Sequence, residues 1–534
     1  MKLSLASLDW ALKHIELEGD TNVFPRPFEY LAIRQCWDAF PGDPGKHAKP
    51  GLRDYLAAQE MLSWNTRPYR KSLSPKHRFG FRSSTQLDPF DAIVFSALIK
   101  DVGSELEARR QPLNKRVVHS NRFMPHADGR MYDPSVNYET FTQRSAELAV
   151  NGKYKRVVIA DIADFYPRIY IHPIETTLGA AIQSKDHVNC LIKLIKQWNY
   201  RISFGIPVGP AASALIAEAA ISDVDDALVS EQLTYCRFSD DYRIFCEDEI
   251  SAYKALAFLA NTLFENHGLT LQQHKTEIVN IEVFKKKYLQ SERKIEKLSL
   301  KDKFAKILTD LSLSDPYQTI EYDDLPEPLQ KEIDGLNLKG ILETLVTSPA
   351  ELDIGLTRFL LRRLAQVDDK SAINLIFTNI AKFYPVFKEA IEYLQKIRKI
   401  STTMRHEVGK KLLDLLESSA IGNLDYHKCW ILNTFAKDRE WDNQDTFVAL
   451  YNSLDDEFSR RELTAALGRS GQTHWFKSRK RNVSSLGPWE RRAFLAAASC
   501  LPGDEGEYWY KSIWSRLDEL EKAVVVWAKA NPFG

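Results

Sequence analysis

The stretch YCRFSDDYRIF, residues 235–245, alternates apolar and polar residues on either side of two adjacent aspartates. That pattern predicts two short strands joined by a tight turn, with Asp240 and Asp241 at the turn. Adjacent carboxylates repel, and neither enters an apolar setting cheaply unless positive charge stands beside it. A fold that accepts this hairpin must therefore bring cations to its tip. Upstream, RVVIADIADFYPRIY runs Val157, Val158 and Ile159 as a buried strand ending at Asp161, with Asp164, Phe165 and Tyr166 following. The intervening chain is long enough for helices to cross over and return the hairpin beside that strand, so three carboxylates can meet at one sheet edge. Such a cluster matches what two Mg2+ ions about 4 Å apart require, hard oxygen ligands with positions left open for a triphosphate and an attacking hydroxyl. Asp161 and Asp240 would bridge the ions and Asp241 would complete the set. Phosphoryl transfer is the reaction class this implies. The plainer reading of an Asp-Asp pair is a solvated cap or Asx-turn.

Between the two acidic sites lies FGIPVGPAASALIAEAAI. Gly205, Pro207 and Gly209 make a rigid loop with close backbone access, and Ser213 opens a helix whose small residues let a nucleotide lie against it. Around these segments the chain divides into three regions. Residues 1–114 mix helical patterning with a basic, aromatic loop; 115–290 read as an α+β region of short strands (KRVVHSNRF, KRVVIADI) and helices (ETTLGAAIQS, AASALIAEAAISDVDDALV, SAYKALAFLANTLFENHG); 291–534 read as successive amphipathic helices of HEAT-like character. The polar stretch from Lys285 to about Asp315 marks the last boundary. A chain of 534 residues exceeds what a single core supports, so several domains are expected.

The 72 basic and 72 acidic residues cancel, so overall charge announces no polyanionic partner and local clusters have to be read instead. Six scattered cysteines without CxxC spacing argue for reduced thiols rather than disulfides or a zinc site. No run of about 18 apolar residues occurs, so no membrane association is expected and the cytoplasm is the expected location.

The segments ADIADFYPRIY, GIPVGPAASALIAE, FSDD and HGLTLQQHKTEI, in that order, resemble the four palm motifs of reverse transcriptases. The resemblance implies a right-hand polymerase of palm and fingers, here followed by an all-α domain, with Asp161, Asp240 and Asp241 holding two Mg2+ ions, or Mn2+ in their place. It implies dNTP binding along Asp164, Phe165, Tyr166, Gly205, Pro207, Gly209 and Ser213. Tyr166 stands where the family keeps an aromatic that excludes a ribose 2′-hydroxyl; its bland reading is a core aromatic. Lys275 stands at the lysine of the fourth motif, where a cation can protonate or screen the departing pyrophosphate; its bland reading is a solvated helix end. Arg122, in VVHSNRF, matches a fingers arginine that grips the triphosphate.

Within that superfamily, these motifs with LDPFDAIVFSALI and WERRAFLAAASCLPGDEGEYW look like the bacterial Abi-type and related unknown-group enzymes that act against phage. That likeness implies untemplated synthesis of single-stranded DNA attached to a protein tyrosine, in homo-oligomers. Tyr30, Tyr55 and Tyr69 are the candidate primers, each with the alternative of an ordinary half-buried tyrosine. Neither an RNase H nor a maturase segment is recognisable. The rival readings are a templated polymerase extending a nucleic-acid primer on RNA, and an inert nucleic-acid-binding scaffold. Two basic clusters interleaved with aromatics suit a polyanion. One is Arg67, Arg70, Lys71, Lys76, Arg78 and Arg82 with Trp64, Tyr69, Phe79 and Phe81; the other is Lys477, Arg479, Lys480 and Arg481 beside Trp475 and Phe476. The alternative for each is a solvated face.

Overall fold

The computed structural model describes residues 1–40, 49–77, 79–199, 202–289, 299–300, 302–304, 306, 327–418, 420–441 and 443–533. Arg78 and most of the Lys285–Asp315 stretch lie outside these residues. Two compact units form: Met1–Asn22 with Arg26–Lys71 and Ser83–Ser291, and Val23–Pro25 with Ser72–Arg82 and Glu292–Gly534.

In the first unit, helix α1 (Leu5–Glu18) packs on α2 (Pro89–Ala108). The Asp88 side chain accepts from the Phe90 amide and a proline opens the first turn, a strong start signal that the LDPF sequence spells out. Strands β1 (Arg70–His77) and β2 (Gly80–Gln86) pair with each other, and their Ser72–Arg82 portion belongs to the second unit. The central sheet follows: β3 (Arg156–Asp161), β4 (Thr234–Phe238), β5 (Asp241–Cys246) and β6 (Glu277–Asn280), antiparallel throughout in the order β4-β5-β3-β6. β3 is interior, and its Val157, Val158 and Ala160 are buried on both faces. Helix α3 (Tyr138–Val150) covers one face, where Phe141, Leu148, Val157, Cys236, Phe245 and Phe284 form a cluster. Burial of each large apolar side chain there contributes roughly 2 kcal/mol of transfer free energy.

Three sequence expectations change. The basic, aromatic loop of the amino-terminal region contains the paired strands β1 and β2. The stretch AASALIAEAAISDVDDALV is two helices, α4 (Ala211–Ala220) and α5 (Ser222–Ser230), because Ile221 leaves the helical region with φ −103° and ψ 16°. KRVVHSNRF is not a strand. It touches the sheet through a single parallel bridge, Val118 to Arg237, and then turns at Asn121, whose φ is +47°. Helix α6 (Glu249–His267) packs on β3 and β5 as the apolar spacing predicts, capped by Asp248 at its start and left-handed Gly268 at its end.

From Glu327 onward every described element of the second unit is helical. Helices Asp425–Lys437, Glu457–Arg469, Pro488–Ala497 and Glu519–Ala530 contact one another in that order, a stacked arrangement. The indole of Trp430 donates to the carbonyl of Val23 at 3.0 Å. All six cysteines are free thiols. Among the described residues no helix is long and apolar enough to cross a membrane.

Candidate active site

The turn between β4 and β5 consists of Ser239 and Asp240, with Ser239 in the left-handed region at φ +55°. The strand register sets Asp161 directly opposite Asp241. Opposed residues of an antiparallel pair point to the same face with Cβ atoms roughly 5 Å apart, so these two carboxylates are neighbours by construction. Asp240 is fixed beside them, its carbonyl accepting from the Ile162 amide at 3.1 Å. The crowding has an electrostatic cost. Burial, then the charges of Asp240 and Asp161 and a hydrogen bond shared with Asp161, push the Asp241 carboxyl up to about 7, with Lys275 opposing the rise.

Lys275 sits in a short 3-10 turn, Gln273–Lys275, drawn against the sheet end by the Gln272 amide bond to the Asp161 carbonyl at 2.7 Å. Its ammonium lies 2.6 Å from Asp161 Oδ2. Burial pulls the lysine down, but the hydrogen bond to Asp161 and the three aspartate charges outweigh this and hold it above its ordinary range.

Among the described residues no three His, Cys, Asp or Glu side chains close into a ready cation cage. The donor set is instead open and all oxygen. Asp161 and Asp241 stand within hydrogen-bonding reach across adjacent strands, and Asp161 takes a lysine ammonium as its counter-charge. Carboxylates forced together in this way fit hard divalent ions such as Mg2+, which would be held by Asp161, Asp240 and Asp241.

Beside the turn, Asp164 is exposed and left-handed at φ +47°, and starts the short helix Phe165–Arg168. Phe165 is buried, with its ring edge-on to Tyr166 at 5.4 Å between centroids. Tyr166 is half-buried, with the desolvation falling on its hydroxyl. That burial, followed by the Glu218 and Asp240 charges, pushes its pKa up and keeps it protonated, and the hydroxyl is hydrogen-bonded to the Ser239 side chain. The glycine loop backs this segment: the Gly205 amide donates to the Ile169 carbonyl at 2.7 Å and the Ile206 amide to Tyr166 at 3.0 Å. Gly205 has φ +101°. At Gly209, φ +137°, a Cβ would stand 2.5 Å from Thr21 Oγ1 and 2.7 Å from the Thr85 carbonyl. The close approach that demands this glycine is therefore to the protein's own chain rather than to a ligand. Pro207 and Ser213 are buried, and Ser213, the third residue of α4, keeps its hydroxyl enclosed.

Other expected contacts are placed differently. Arg122 is buried: it pairs with Glu107 at 2.6 Å and donates to the Gln111 carbonyl at 3.0 Å, so its guanidinium is spent inside the fold. Tyr30 is buried too, which removes it as an accessible primer, whereas Tyr55 and Tyr69 are half-buried. The second basic cluster is a folded surface: Lys477 and Lys480 both pair with Glu505, Arg479 stacks over Trp475, and Trp475 and Phe476 are core residues. In the first cluster Trp64 and Arg70 are buried and Arg67 pairs with Asp88, while Lys71, Lys76, Phe79 and Phe81 are exposed.

Beneath the aspartate turn lies a buried polar network that the sequence reading missed. Arg237, wholly buried on β4, makes a two-pronged pair with Asp225, with Nε 2.8 Å from Oδ1 and Nη2 2.6 Å from Oδ2. Its Nη1 reaches Glu218 Oε2 at 2.7 Å and the Ser239 carbonyl at 3.1 Å. Arg110 adds a second guanidinium on Glu218 at 2.9 Å. Burial alone would raise Glu218, but the two arginines outweigh it and hold the carboxyl below its usual range. The signal was present in the sequence: a lone arginine in an apolar strand and a lone glutamate in an alanine-rich helix each require a buried partner.

Residues 111–322 match the model of the reverse transcriptase (RNA-dependent DNA polymerase) family. Among solved structures the chain is similar to telomerase from Candida albicans in complex with a TWJ fragment of telomeric RNA, at 12% identity over 77% of this chain and 72% of that one, TM-score 0.30. It is also similar to the corresponding Candida tropicalis structure, at 12% identity over 72% and 71%, TM-score 0.30. These superpositions are too loose to bear on the chemistry. No curated protein matches the chain.

Proposed function

We propose that this nucleotidyltransferase, whose reverse transcriptase domain spans residues 111–322, makes DNA from dNTPs without a template, primed by a tyrosine of its own chain, in defence against phage. The observation that carries the polymerase chemistry is the in-register apposition of Asp161 and Asp241 with Asp240 in the adjoining turn. The finer part rests on the resemblance of the motifs to the Abi-type enzymes. Homo-oligomeric assembly and a cytoplasmic setting belong to the same reading.

In this mechanism a hydroxyl oxygen attacks the α-phosphorus, a new P–O bond forms, and the bond to pyrophosphate breaks. Divalent ions held by the three aspartates would lower the pKa of the attacking hydroxyl and neutralise the leaving group. Lys275, charged and within reach of Asp161, is placed to pass a proton to the pyrophosphate oxygen. Tyr166, pinned by the Ser239 side chain, presents a rigid ring edge against a 2′-hydroxyl.

The test incubates purified protein with Mg2+ and each labelled dNTP in turn, with no template and no primer. The protein itself should gain mass, and the label should resist phenol extraction yet be released by protease. Label that appears only with an added RNA template and oligonucleotide primer, and stays free of protein, overturns the untemplated, protein-primed reading in favour of templated synthesis. Tyr166→Ala should raise relative ribonucleotide use by about 10- to 100-fold, measured as the ratio of kcat/KM for a ribonucleotide to that for its deoxy counterpart.

A further inference from the structure

We propose that Ser120 is a positioning residue for the metal-binding turn, a hydroxyl relay through which the buried Arg237–Glu218 pair sets where Asp240 and Asp241 stand. The inference rests on the polymerase reading of that turn. Ser120 is fully buried and comes from KRVVHSNRF, the segment that abandons the sheet after a single bridge. Its Oγ donates to Glu218 Oε1 at 2.5 Å and accepts from the Ser239 amide at 2.8 Å.

The chemistry fixes the direction of this relay. A serine hydroxyl has one proton, and an ionised carboxylate can only accept, so that proton points at Glu218 and a lone pair is left for the amide of the turn. The other peptide face of Ser239 is also held, because its carbonyl accepts from Arg237 Nη1 at 3.1 Å. Ser239 is thus clamped on both sides in a left-handed conformation that a residue with a Cβ disfavours. Asp240 and Asp241 follow it directly, so these two bonds, together with the Ile162 amide on the Asp240 carbonyl, set the angle at which they leave the turn. Ser239 also receives Tyr166, which couples the aromatic at the nucleotide side to the same pivot. Side chains that orient metal ligands from behind typically change metal affinity by about 10- to 100-fold when removed.

A purely structural role would lower thermal stability and leave the affinity of the folded site unchanged. The experiment therefore compares full-length wild type with Ser120→Ala and Ser120→Thr, the latter keeping the hydroxyl. Mn2+ binding is titrated by electron paramagnetic resonance, and thermal melting is measured alongside. Ser120→Ala should bind Mn2+ about tenfold more weakly and shift the Mg2+ midpoint for incorporation upward by a similar factor, while Ser120→Thr recovers most of the loss. Should the alanine variant fail to fold, Ser120→Cys, which keeps the volume and weakens both bonds, takes its place with the same expected direction. Unchanged Mn2+ affinity in a folded variant lacking the hydroxyl overturns the relay and leaves the polymerase reading standing. Absence of Mn2+ binding by the wild type overturns that reading and the relay with it.

Discussion

Asp241→Asn abolishes incorporation, by at least about a thousandfold, and at the same time raises the melting temperature of the metal-free protein above neutral pH. The first effect follows from loss of an anionic ligand at the point where two strands bring carboxylates together. The second follows from the crowding. The folded-state pKa of Asp241, about 7, lies above the ordinary carboxylate value. Between those two values the folded protein retains a proton that the unfolded chain has released, so metal-free stability falls as pH rises across this window and stays low above it. An amide at position 241 has nothing to ionise and can still donate to Asp161. The melting-temperature gain of the variant should therefore be small at pH 5 and largest at pH 8, as scanning calorimetry at both pH values would show. Mg2+ should close the gap by stabilising wild type and not the variant. A gain that is equal at both pH values would mean that charge repulsion is not its cause.

Arg237→Met should destabilise the first unit by roughly 3–5 kcal/mol, because it takes a buried guanidinium from two buried carboxylates at once. Asp225 loses its two-pronged partner, and Glu218 loses one of its two guanidiniums, keeping Arg110 and the Ser120 hydroxyl. Urea unfolding followed by tryptophan fluorescence measures the loss. Adding Asp225→Asn to Arg237→Met should recover part of it, since one unpaired charge is then removed; no recovery would show that the arginine acts by packing alone. Activity of the single variant should fall further than its folded fraction, because Arg237 also holds the Ser239 carbonyl.

Strands β3, β4 and β5 and the aspartate turn were legible in sequence because their signals are local. Alternation with β-branched and aromatic residues specifies β4 and β5, and an adjacent carboxylate pair has few tolerable locations. What was not legible depends on partners distant in the chain. Arg122 has the composition of a phosphate grip, yet Glu107 in α2 takes it. The tail's basic run suited either a polyanion or a solvated face, and Glu505 supplies its counter-charge. The break at Ile221 carries no proline or glycine to announce it. Gly209 announced a close approach without saying to what, and the answer is Thr21 and Thr85.

The bridge from Val118 to β4 has one more consequence. β4 is the outermost strand on its side, and a bare margin of amides and carbonyls invites another chain to extend the ladder. Here the Arg237 amide already donates to the Val117 carbonyl at 2.7 Å, and the Arg237 carbonyl accepts from the His119 amide at 3.0 Å. The margin is closed at Arg237, two residues short of the turn, so another chain cannot extend the ladder at that residue.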